Sequence, residues 1–127
     1  MPTFSILFAA IAALIHVLFF LAESIFWMQP KVHRVFGVKN IQEAELFKIS
    51  FFNQGFYNLF LAIGVFVGMY FIHSENIIIG KTLLLFCCAS MLSAAIVLFL
   101  SKPKLIIGAL VQGLCPLISI LAFLFLK

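Results

Sequence analysis

Four apolar runs dominate the sequence, at about residues 4–28, 47–72, 77–100 and 105–126. Each exceeds the ~20 residues a helix needs to cross ~30 Å of hydrocarbon. A membrane β-barrel would instead need alternating segments of about ten residues. The chain is therefore predicted to be all-α: a four-transmembrane-helix bundle, polytopic in the membrane, with residues 1–127 as a single domain. Composition agrees. The chain is 65% hydrophobic and 9% charged, against about 45–50% and about 25% in soluble domains. Pro30, residues 73–76 and residues 102–104 punctuate the helices.

The first run does not read as a cleaved signal peptide. Residues 1–15 carry no Lys or Arg, and the apolar stretch is too long. Lys31, Arg34, Lys39, Lys48, Lys102 and Lys104 fall on one side, against Lys81 and Lys127 on the other. The positive-inside rule then predicts that loops 29–47 and 101–104 are cytoplasmic and both termini outside. Within the first loop, Asn40 is a candidate N-cap with Glu43 three residues on. Residues 41–47 suggest a helix entering the membrane at a shallow angle. Trp27 lies where indoles commonly anchor at the interface.

Glu23 is the residue least expected in such a setting. A carboxylate inside an apolar span costs at least ~2.5 kcal/mol to insert, so it should face other protein groups or a water-filled cavity. His16, Phe20, Glu23 and Trp27 fall at i, i+4, i+7 and i+11, one stripe of the first helix. The second helix clusters Asn53, Gln54, Tyr57 and Asn58, with Ser50, Asn53, Tyr57, Gly64 and Gly68 on a shared face. The fourth carries Gly108, Gln112, Cys115 and Ser119 at the same helical spacing, and the third offers Ser90 and Ser93. At ~1.5 Å per residue, Glu23, residues 53–58, Ser93 and Gln112 all fall in the cytoplasmic half of the bilayer. His16 sits about 10 Å deeper than Glu23 along the axis.

Asn, Gln and Ser often serve as interhelical glue at ~0.6 kcal/mol each, and Gly64 with Gly68 forms a close-approach pair. Packing is the simpler reading of those residues, Tyr57 and Asn58 fit a packing or a functional role equally, and a lone His16 would read as a core histidine were it not on the Glu23 stripe. Glu23 is different, because one neutral partner does not offset a buried carboxylate. Cys87, Cys88 and Cys115 have neither disulfide nor metal-ligand spacing. His16 and Glu23 alone do not make a metal site, and no phosphate loop, nucleophile elbow or zinc-protease motif appears. No metal or cofactor is expected. The scattered basic residues, without an aromatic platform, argue against nucleic acid.

Residues 16–27 (HVLFFLAESIFW), Pro30, residues 34–37 (RVFG) and residues 53–62 (NQGFYNLFLA) resemble the DUF1304 family of small bacterial four-helix membrane proteins. The resemblance covers essentially the whole chain. Its most specific motif is carried by Asn53, Gln54, Gly55, Tyr57, Asn58, Phe60, Leu61 and Ala62, and His16, Glu23 and Trp27 also match. It implies a membrane bundle with a polar core and supplies no activity.

Three functional classes stay open. In the first, Glu23, His16, Trp27, Asn53, Gln54, Tyr57, Asn58 and Gln112 bind, or transport, a small amphipathic or cationic ligand among membrane lipid. Transport carries with it a homo-oligomer that encloses the pathway. In the second, Glu23 and His16 are the acid and base of an isomerase-like enzyme acting on a lipid-soluble substrate, walled by Trp27 and Tyr57. In the third, the polar core only specifies packing in a scaffold or assembly factor.

Overall fold

The computed structural model describes residues 1–74 and 76–126. Glu75, in the second turn, and Lys127, part of the charge asymmetry, lie outside the described residues. Helix α1 spans Thr3–Phe20 and runs directly into a π-helical turn, Leu21–Ile25. A short α2, Pro30–Val35, leads to α3, Ile41–Ile72. Helix α4 is Ile77–Ser101, and a 3-10 turn, Pro103–Leu105, joins it to α5, Ile106–Phe125. The described residues contain no strand. Four helical stretches are long and apolar enough to cross a membrane: Thr3–Ile25, Ile41–Ile72, Ile77–Ser101 and Pro103–Phe125. The chain is a multi-pass membrane protein built as an all-α four-helix bundle.

In cross-section the helices form a ring. Helix α1 packs on α3 and α5, and α4 packs on the same two, which leaves α1 and α4 on a diagonal. Lipid is as apolar as leucine, so close packing of small residues holds such helices together. Ala9, Ala12, Ala13, Ala62, Val65, Leu84, Cys88 and Met91 form the fully buried centre. At the end of the bundle near the 73–76 turn, α3 and α4 meet backbone to backbone. A Cβ placed on Gly80 would lie 2.5 Å from the Ile72 nitrogen and 2.6 Å from the Gly68 oxygen. Gly64, the other member of the close-approach pair, faces Cys87 Sγ. Helix α5 is tied to α1 reciprocally: Ser5 Oγ donates to the Ser119 carbonyl and Ser119 Oγ to the Ser5 carbonyl, both at 2.8 Å.

Three boundaries differ from the sequence expectation. The first membrane helix ends at Ile25, not Met28, because Phe26 leaves helical geometry (φ −104°, ψ 12°) after the Phe26 N–H bonds the Leu21 carbonyl. Pro30 then starts a new helix at its first turn, where its missing N–H costs nothing. Residues 41–47 are not a separate shallow helix. They are the first turns of one 32-residue helix, about 48 Å long, so α3 projects well beyond ~30 Å of hydrocarbon. Asn40 does cap it, accepting from the Glu43 N–H at 2.8 Å. The reciprocal arm is displaced by one residue, Glu43 Oε2 accepting from the Lys39 N–H at 3.3 Å. The fourth helix ends in Phe125 and begins with the 3-10 turn at Pro103.

Candidate functional site

Glu23 sits in the π turn, and its side chain is 2% exposed. The extra residue per turn in a π segment widens the helix and breaks its regular register. This segment presses on α3. Ser24 Oγ donates to the Phe52 carbonyl at 2.7 Å, and any side chain on Gly55 would overlap Ser24. With that contact closed, Glu23 reaches two amides one helical turn apart on α3. Gln54 Nε2 donates to Oε1 at 3.0 Å and Asn58 Nδ2 to Oε2 at 2.8 Å. Positions i and i+4 share a helix face, so the pair grips both oxygens from one side. Among the described residues, no Lys, Arg or His nitrogen lies within 4.0 Å of the carboxylate.

The carboxylate borders a cavity of about 560 Å³ between the four long helices, at the end of the bundle that carries α2 and the 3-10 turn. Glu23, Gln54, Tyr57, Asn58 and Gln112 are on its wall. Tyr57 and Gln112 have no protein partner for their side-chain polar atoms among the described residues. The apolar walls include Phe19, Phe36, Phe51 and Leu98. Three residues on the cavity wall are also exposed at the surface: Val35 (73%) at the end of α2, Tyr57 (71%) on α3 and Val97 (61%) on α4. Helices α3 and α4 touch through Gly68 and Gly80 at their far end.

The other residues singled out from the sequence lie elsewhere. His16 is fully buried in α1, its Nδ1–H donating to the Ala12 carbonyl at 2.8 Å. Its Nε2 has no partner, and it does not line the cavity. Asn53 points out of the bundle and donates to the Ile49 carbonyl of its own helix. The shared face proposed for Ser50, Asn53, Tyr57, Gly64 and Gly68 is thus divided between lipid, cavity rim and the α4 contact.

Trp27 is not an interfacial anchor. It is 2% exposed, stacks on Phe51 at 3.8 Å and donates its Nε1–H to the Ala44 carbonyl at 2.9 Å. The chain break at Phe26 turns the indole inward, behind the Phe36 and Phe51 rings that face the cavity.

Two features were not singled out from the sequence. Lys102 and Ser101 border the cavity at its mouth, although Lys102 reads from sequence only as a topology signal. The Lys102 ammonium lies over Gly37, 3.4 Å from where a Cβ would stand. Gly37 has φ +83°, the left-handed conformation that glycine adopts without penalty. Pro116 lies inside α5 and has no N–H, which deprives the Gln112 carbonyl of its i+4 donor. A proline four residues after a polar helix residue is a signal legible in sequence. No group of three or more His, Cys, Asp or Glu side chains that could hold a metal occurs among the described residues.

No curated protein and no solved structure shows significant similarity to this chain. The sequence model of one family, described as "Protein of unknown function (DUF1304)", matches residues 10–124. That span contains Glu23, its two amide donors and the whole cavity wall, and the chain belongs to the DUF1304 family.

Proposed function

We propose that the protein binds a small amphipathic or cationic molecule in this cavity, with Glu23 as the principal contact. The observation that carries the reading is the pairing of Glu23 with a void. The carboxylate is held by two amides, lacks a cationic partner among the described residues, and adjoins about 560 Å³ of space. Ligand pockets are of this size and of this mixed lining. A scaffold would have its polar groups paired and no hole, whereas Tyr57 and Gln112 stand beside one with no side-chain partner among the described residues.

Binding is favoured over transport by the packed centre beyond the cavity, where Leu84, Cys88 and Met91 are fully buried. Acid–base catalysis by Glu23 and His16 loses its second member, because His16 is outside the cavity and its Nδ1 is committed to Ala12. The proposed setting is a bacterial inner membrane, with loops 29–47 and 101–104 in the cytoplasm and residues 1–127 acting as one bundle.

Native mass spectrometry of the protein in mild detergent, titrated with dodecylamine, tests this. A saturable adduct is expected on the parent protein. Glu23→Gln should weaken it about tenfold or more, the loss of one charge-assisted contact. Ala94→Trp, which fills the cavity from α4, should remove it. Equal adducts on all three proteins would refute the proposal.

A further inference from the structure

Two side chains able to carry opposite charges line the cavity at different places, and neither has an ionic partner among the described residues. Glu23 is buried on its inner wall. Lys102 is exposed at its mouth, beside Gly37 and Leu105. The only ion pair among the described residues, Lys48 with Glu45, lies outside the cavity. A purely cationic ligand would satisfy Glu23 and leave the Lys102 ammonium facing a like charge. A purely anionic one would do the reverse, at the buried end where the mismatch is worst. A ligand with a cation ahead of an anion satisfies both.

The remaining features extend the same pattern. Tyr57 OH and the Gln112 side chain, without protein partners among the described residues, offer further polar atoms on the cavity wall. The aromatic faces of Phe19, Phe36 and Phe51 also line the cavity, and aromatic faces attract ammonium groups. Tyr57 on α3 and Val97 on α4 both line the cavity and are exposed on the outside of the bundle, so an alkyl chain can stay in the membrane beside them while its head group enters sideways.

We infer that the ligand is a zwitterionic membrane lipid whose ammonium contacts Glu23 and whose phosphate contacts Lys102. This inference rests on the binding reading above and narrows it to one class of ligand. The head group enters ammonium first, the phosphodiester stays beside Lys102, and the acyl chains leave past the exposed Tyr57 and Val97.

Four probes test it on the full chain in mild detergent: dodecylphosphoethanolamine, dodecylamine, dodecyl phosphate and phosphoethanolamine without a chain. Trp27 is the only tryptophan and stacks on the cavity residue Phe51. Its fluorescence therefore reports occupancy alongside native mass spectrometry, except in Ala94→Trp, which adds a second indole and is read by mass spectrometry alone. The zwitterion with a chain should bind about tenfold or more tightly than any other probe, the value of one charge-assisted contact. Lys102→Gln should abolish its advantage over dodecylamine, and Glu23→Gln its advantage over dodecyl phosphate.

If Ala94→Trp blocks every probe but dodecylamine binds as tightly as the zwitterion, with Lys102→Gln inert, this inference is overturned and the binding reading stands. If Ala94→Trp blocks none, both fall. Binding of chainless phosphoethanolamine as tight as that of the alkylated zwitterion overturns the lipid origin.

Discussion

Replacing Asn58 by leucine keeps its approximate volume and removes one of the two donors to Glu23. The lost bond is 2.8 Å long and joins the π turn to α3. Two scales bear on its worth. Neutral interhelical hydrogen bonds in membranes average ~0.6 kcal/mol and reach ~1.7 at most. Bonds to a charged group contribute about 1.5–3 kcal/mol. Glu23 is 2% exposed, so water has little access to the orphaned oxygen. For the ionised carboxylate the larger scale applies, giving a loss of about 1.5–3 kcal/mol for Asn58→Leu. In a Glu23→Leu background the acceptor is gone, and the same change should cost ~0.6 kcal/mol or less. The coupling from the double-mutant cycle is then about 1–2.5 kcal/mol. Unfolding by added SDS in mixed micelles, followed by helical circular dichroism and Trp27 fluorescence, measures all four proteins. A coupling at or below ~0.6 kcal/mol would refute the picture of a carboxylate held by its amide donors.

Gly80→Ala should destabilise the bundle by about 1–3 kcal/mol in the same assay, because the added methyl meets the backbone of Gly68 and Ile72. Gly108→Ala, whose methyl would find only Leu98 Cδ2 at 3.9 Å, should be neutral or gain up to ~1 kcal/mol. The reverse order would contradict the α3–α4 crossing. Trp27→Phe retains the ring stacked on Phe51 but loses the bond to the Ala44 carbonyl, so thermal melting should show a loss of about 1 kcal/mol; an unchanged melt would mean that the buried indole N–H is not needed. Membrane topology can be checked by cysteine labelling of intact cells. An impermeant maleimide should reach Thr3→Cys from outside and Lys104→Cys only after lysis, and the opposite pattern inverts the orientation.

The sequence by itself determined the number and nature of the spans, the N-cap at Asn40 and the anomaly of Glu23. These are local or additive properties. Apolar length sums along the chain, a cap needs only its own turn, and a carboxylate is costly in lipid wherever it points. The partners Gln54 and Asn58 were legible as part of a cluster, but Asn53 and Tyr57 were indistinguishable from them. Helical spacing divides these residues into two faces, Gln54 with Asn58 and Asn53 with Tyr57, without saying which face turns inward. In a soluble helix the apolar stripe would decide that. Here every face is apolar, and lipid accepts what a protein core accepts, so only packing decides.

Tertiary structure chose the orientation through contacts between residues far apart in sequence. Gly55 received Ser24, which set the π turn and aimed Glu23 at α3. Gly68 and Gly80 drew α3 and α4 together at one end, and the cavity formed at the other. The break at Phe26 folded Trp27 inward, and the turn at Pro103 brought Lys102 to the mouth of a site whose carboxylate is in the first helix. No residue in these contacts specifies its partner by local propensity; each close approach exists because a side chain is missing at the point where two helices cross.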